Sequence, residues 1–478
     1  MTTGWPPDIL CERLPDPNSH LKGKNMKQPK RLVSAALVCG LIAATGLSQS
    51  AKRTRINYKD TTLSNGLRVI TVEDHTAPVV SLCVTYNVGS RNEVKGRTGF
   101  AHLFEHMMFK GSENVGSGEH FILISNTGGQ MDGTTTEDRT NYYEEVPANQ
   151  IDLVLFLESD RMKGLDITQA NLDNQRNAVQ EERRLRVDNQ PYGLSQEKMQ
   201  DLLYDNFAYK HSTIGSMEDL NAASVDDVKA FFKMYYAPNN AVLALVGDFD
   251  TRAALGKIKS YFETIPREPN PPSVDMTEPE QTGERTLNLE DKLARVAQID
   301  IAYKAAPGNT ADFYALQVLS ASLQNGQSSR LYQSLVKDKQ MAQQVNGFVD
   351  EKRGEGALYT IALVNAGKKV EDVEAAIQAE VERLKTEPIA DWELAKAKNF
   401  TKRAVINQMQ SSIYTAILMA QYTVFYNDPD LINTRIGKVD AVTKADVQRV
   451  ANKYLKSTNR TVVVTRPKPD SAASASKG

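Results

Sequence analysis

Two stretches of this chain echo one another without a gap. Asp227-Val228 recurs as Asp446-Val447 at a spacing of 219 residues, and at that spacing Tyr235 meets Tyr454 and Asn240 meets Asn459. The apolar run Leu243-Ala244-Leu245 likewise meets Val462-Val463-Val464. A helix ending in tyrosine, a short turn containing asparagine and an apolar strand thus close both halves, which points to a duplicated domain. The length agrees, since 478 residues exceed one ordinary domain, and 41% hydrophobic residues are enough for real cores.

The two copies are chemically unequal. All six histidines (His20, His75, His102, His106, His120, His211) fall in the first half or before it, and the second half has none. A histidine-based metal site therefore cannot exist twice. Its candidate residues stand in His102-Leu103-Phe104-Glu105-His106. Helix positions four apart share a face, so two imidazoles can address one ion while Glu105 lies on the same side. Zinc suits imidazole ligands and tetrahedral geometry, and a catalytic site needs a third protein ligand and an open position. The stretch Asn177-Ala178-Val179-Gln180-Glu181-Glu182-Arg183 offers two carboxylates. Adjacent helix residues diverge by about 100°, so only one can face the metal, and spacing alone does not choose between them.

The rest of the chain sorts into a prepiece, two αβ units and a tail. Residues 1–25 are polar, proline-rich and aperiodic. From Met26 the pattern changes to Lys27, Lys30 and Arg31, an apolar run over 32–47, and Ser48-Gln49-Ser50-Ala51 with small residues for cleavage. That order reads as a signal peptide ending at 51, with translation starting at Met26. Residues 1–25 are on that reading an over-long gene start, a true extension being the alternative. The apolar run is short for a membrane span, an uncleaved anchor being the competing reading. Strands are expected at 67–71, 79–88, 130–136, 140–146, 241–246 and 296–303. Helices are expected at 99–110 (capped by Thr98, stopped by Gly111), 119–126, 149–163, 169–188, 195–205 and 225–236. Pro266, Pro269, Pro271, Pro272 and Pro279 mark 266–284 as an interdomain linker between units at 52–265 and 285–467. Residues 468–478 form a polar tail expected to be disordered. With 57 basic against 59 acidic residues, nothing suggests a nucleic-acid surface. Cys83, alone after removal of the prepiece, reads as a buried small residue.

His102-x-x-Glu105-His106 is an inverted zinc signature, and the chain resembles the pitrilysin and insulysin superfamily. The resemblance is to its two-domain branch, which includes mitochondrial processing peptidase and bacterial periplasmic homologues. It runs over residues 55–467 and includes Gly99-Phe100-Ala101, Phe109-Lys110-Gly111, Thr140-Asn141-Tyr142-Tyr143 and Asp188-Asn189-Gln190-Pro191-Tyr192-Gly193. The resemblance implies an α+β fold of two homologous domains, each an antiparallel sheet flanked by helices. It implies Glu182 as third ligand, with Glu181 turned outward or supporting the ligands from behind, one Zn2+ per chain, and Glu105 as the base that takes a proton from the attacking water. It also implies a peptide substrate that adds to the sheet edge at 130–136. Where relatives often carry a further glutamate, this chain has Gln175. His75, His120 and His211 read as structural or surface residues, and Tyr142 and Tyr143 as packing residues that could line a groove.

The family also uses an arginine and a tyrosine after a Ser-Arg-Leu-Tyr-like stretch, here Ser329-Arg330-Leu331-Tyr332. The corresponding positions hold Val336 and Gln343. The expectation is that a homologous inactive subunit supplies the pair in trans, with a homodimer as the competitor. The implied activity is zinc endopeptidase cleavage of unfolded peptides in a periplasmic or secreted setting, with no stable membrane span after signal cleavage. A non-catalytic scaffold of the same fold is the alternative, which the intact Glu105 disfavours.

Overall fold

The computed structural model describes residues 55–469; the extension, the signal-like segment and the tail from residue 470 lie outside them. The strands are β1 Lys59–Thr62, β2 Arg68–Glu73, β3 Val79–Tyr86, β4 Gln130–Thr135, β5 Thr140–Pro147 and β6 Ala241–Gly247, then β7 Arg285–Asp291, β8 Gln298–Lys304, β9 Ala342–Val349, β10 Ala357–Val364 and β11 Arg460–Pro467. They form one sheet ordered β1-β2-β6-β3-β5-β4 and a second ordered β7-β11-β8-β10-β9. The fold is α+β with two similar halves, and the sheets are mixed rather than purely antiparallel. The closing strand of each half inserts beside the first long strand, so β6 runs parallel to β2 and β11 parallel to β7. All other pairings are antiparallel.

The first half supplies α1 Phe100–Met107, α2 Glu119–Asn126, α3 Ile151–Lys163, α4 Gln169–Arg183 and α5 Gly193–Leu203. Pleating decides what each sheet face buries. On β6, Leu243 and Leu245 point to a core shared with Leu103 and Phe104 of α1, Leu155 of α3 and Val179 of α4. Val242, Ala244 and Val246 point the other way, onto Ala416, Met419 and Ala420 of the helix Ser412–Tyr426. Covered on both faces, β6 is apolar throughout, as such strands are. The second sheet repeats the scheme. Val462 and Val464 face one core, and Val463 faces Met199 and Leu203 of α5.

Each half therefore lends a helix to the other's sheet, so the packing crosses the contiguous boundaries read from the sequence. The proline-rich segment 266–284 has neither helix nor strand, yet it is pinned: Glu278 accepts from Lys304 Nζ at 2.6 Å and from the Asp205 amide at 2.7 Å. The sequence echo has a local cause. Ser224 with Asp227, and Thr443 with Asp446, form capping boxes at the starts of the two repeated helices. At their ends Asn240 and Asn459 donate to the carbonyls of Tyr235 and Tyr454, each at 2.8 Å.

Candidate metal centre

Helix α1 carries His102, Glu105 and His106, and its start is fixed from outside the helix. Gly99 takes a φ of +85°, and a Cβ there would sit 2.6 Å from the Ile214 carbonyl oxygen, so only glycine fits. The carboxylate of buried Glu93 accepts from the Gly99 and Ala101 amides at 2.9 and 2.8 Å. A negative charge there satisfies orphan amides and complements the helix dipole. His211 Nε2 lies 2.9 Å from Glu93 and holds it in turn. Thr98 is not the cap expected from sequence; its hydroxyl bonds Asp219 at 2.5 Å. Because Glu93 lies six residues before the Gly99 cap, no capping spacing announces it. Glu93→Ala is expected to cost about 1–3 kcal/mol, by loss of the cap and of the buried partner of His211, measurable as a lowered denaturation midpoint.

Helix α4 packs beside α1 and presents Glu182. Its Oε2 stands 3.3 Å from His106 Nε2 and 3.6 Å from His102 Nε2. The three ligand atoms lie within 4.8 Å of one another. Zinc bonds of about 2.0–2.2 Å at tetrahedral angles put ligand atoms roughly 3.3–3.6 Å apart, so these separations suit the ion. Arg186 Nη1 holds the other carboxylate oxygen at 2.7 Å, which leaves Oε2 for the histidines. Glu181 turns outward and pairs with Arg184. Beyond Arg183 the helix expected to run to 188 widens into a π-helical turn over Arg184–Asp188, a feature frequent near functional sites.

The electrostatics prepare these groups for a cation. Burial, with His106 alongside, pushes the His102 pKa down to about 4, so its imidazole is neutral and able to ligate near neutral pH. Burial opposes ionisation of Glu182, but the His106 hydrogen bond and the electrostatic attraction of His102, His106 and Arg186 outweigh it and bring the pKa down to about 2. Glu105 behaves differently: burial raises it to about 7, against the lowering effect of a hydrogen bond from Thr135. A carboxylate poised near neutral is what a general base requires. The Nδ1 of His102 is buried with no partner; packing, including the edge-on His106 ring 4.8 Å away, orients the ring.

The other residues singled out from sequence resolve as follows. Gln175 is buried and bonds Asn174. Tyr142 is fully buried in the core and Tyr143 is half-buried. His75 bridges Glu73 and Asp248 at the surface. His120 meets Glu144 at 3.1 Å in a buried cluster with Glu158. That second grouping of potential ligands already holds a cation, since Arg161 pairs with both carboxylates and its guanidinium stands 4.4 Å from the Tyr142 ring centre. Cys83 is buried, its thiol pushed up to about 12 by burial. Arg330 is committed to Glu393 through bonds of 2.8 and 2.9 Å. Val336 packs against the second core and Gln343 is exposed on β9. Strand β4 is an edge strand of the first sheet. Among the described residues, no helix is long and apolar enough to cross a membrane.

Residues 68–216 match the model of the insulinase family (peptidase family M16), and residues 222–400 match the model of the peptidase M16 inactive domain. The zinc protease PqqE of Helicobacter pylori is 32% identical, the match covering 92% of this chain and 99% of that one. A chain of Arabidopsis thaliana named probable mitochondrial-processing peptidase subunit beta is 25% identical, over 91% of this chain and 82% of its own. The crystal structure of a protease from Helicobacter pylori superposes with a TM-score of 0.82 at 32% identity, covering 86% of this chain and 100% of that one. The first half of the periplasmic protease PqqL of Escherichia coli shares the fold at a TM-score of 0.71 and 19% identity, over 89% of this chain and 95% of that one.

Proposed function

The chain belongs to the insulinase-like M16 peptidase family, and on that premise we propose that it is a zinc-dependent endopeptidase acting on unfolded peptides. The observation that carries the reading is the convergence of His102 and His106 from α1 with Glu182 from α4, and Glu105 beside them. Two imidazoles and one carboxylate make a three-ligand set that leaves a coordination position open. Zinc held there supplies Lewis acidity toward a carbonyl and a water acidified toward neutral pH. Glu105 then accepts the proton of the attacking water and returns it to the departing amine. As an edge strand, β4 offers an extended peptide a place to add to the sheet, which favours chains without structure of their own.

The second half has a different task. It has no histidine, and Arg330, Val336 and Gln343 provide no free arginine or tyrosine for the substrate. The reading is that a homologous inactive subunit contributes that pair and that this chain is the active member of a heterodimer; a homodimer is the second possibility. The signal-like segment and the name of the PqqL relative favour a periplasmic setting.

The test is an assay of the purified chain on an unstructured peptide, with and without a chelator. Cleavage that needs an added homologous subunit, vanishes on chelation and returns with zinc is expected. Cleavage that persists without metal would overturn the zinc-dependent reading. Full turnover by a monomer would overturn the assembly.

A further inference from the structure

The carboxylate of Glu105 receives one hydrogen bond among the described residues, from Thr135 Oγ1 to Oε2 at 2.5 Å. We propose that Thr135 is a positioning residue for the general base: its hydroxyl pins one oxygen of Glu105 and leaves Oε1 for the proton of the attacking water. The proposal rests on Glu105 being the base. Three features of the strand make it a built arrangement rather than a chance contact.

Thr135 and Gly133 are two apart on β4 and so share a face. The glycine makes room for the same side chain: a Cβ at 133 would lie 3.2 Å from Glu105 Cγ and 3.3 Å from the Phe109 ring. One strand face thus gives Glu105 both space and a donor. Register fixes that donor. Thr135 pairs with Thr140 across β4 and β5, the Thr140 hydroxyl stands 3.4 Å from the Thr135 hydroxyl, and it bonds the Val88 carbonyl at 3.0 Å. The turn that follows is clamped by the second half. Lys352, 2% exposed, reaches Glu137 at 2.9 Å, and the Arg353 amide reaches Asp138 at 2.9 Å. The histidine-free half therefore acts on the centre through the hairpin that carries Thr135.

Threonine also suits the position chemically. A β-branched side chain has few χ1 options, so its hydroxyl is aimed by the backbone. Valine keeps that shape without the donor, and serine keeps the donor without the methyl.

The experiment measures kcat, KM and bound zinc for Thr135→Val and Thr135→Ser, and repeats the valine change in a Glu105→Gln background. Thr135→Val is expected to lower kcat about 10- to 100-fold, the size of a hydrogen bond to a charged group. KM and zinc content should stay unchanged, Thr135→Ser should recover most of the rate, and the change should cost nothing further when Glu105 is already Gln. Wild-type kcat in Thr135→Val, loss of zinc in it, no recovery with serine, or an equal loss in both backgrounds would each overturn the positioning role. Failure of the base assignment reads out separately, as wild-type activity in Glu105→Gln alone.

Discussion

Glu105→Gln is expected to retain one zinc per chain and to lose about 10²–10⁴-fold in kcat, the usual contribution of a positioned proton-transfer group. The substitution is nearly isosteric, and the amide oxygen can still accept from Thr135, so packing and ligands are left as they are. Only the capacity to take a proton disappears. A scaffold of the same fold would have no rate to lose, so paired measurement of bound metal and turnover separates it from an enzyme.

The second large effect contrasts two adjacent residues. Glu182→Ala is expected to empty the centre of zinc and abolish cleavage, whereas Glu181→Ala should leave both intact. Glu182 Oε2 is the atom on which both imidazoles converge, while Glu181 is an exposed partner of Arg184. Loss of a ligating carboxylate should exceed the roughly 10- to 100-fold in metal affinity carried by groups that merely orient ligands. Metal analysis of the two variants by mass spectrometry checks this without depending on a substrate.

Much of this centre was legible in the sequence because it is built from local spacing. The i, i+4 pair His102 and His106 needs only helical geometry, and α1 forms where apolar Leu103, Phe104 and Met107 face the core. Choosing Glu182 over Glu181 needed family resemblance, since one residue of rotation on α4 decides it and no local signal does. The supporting residues were missed for a different reason. Glu93 acts across the loop that precedes α1, and Thr135 and Arg186 act through contacts that strand register and a π-helical turn create. Nothing in the threonine run 134–136 tells which hydroxyl faces Glu105 until β4 is placed against α1.

The same division holds for the fold. Strands β4, β5 and β6 announced themselves by composition and turn residues, and the repeat announced two halves. The exchange of α5 and the helix Ser412–Tyr426 between the sheets was hidden, because an apolar stripe specifies burial and not the surface that provides it. Sheets described as antiparallel became mixed for a topological reason: a closing strand inserted between two antiparallel strands must run parallel to one of them.

Diffraction at the zinc absorption edge, from crystals grown with the metal, measures the claim on which the rest depends. A single anomalous peak about 2.0–2.2 Å from His102 Nε2, His106 Nε2 and Glu182 Oε2 is the expected result. A zinc peak elsewhere in the chain, with Glu182 turned away from the two imidazoles, would contradict it.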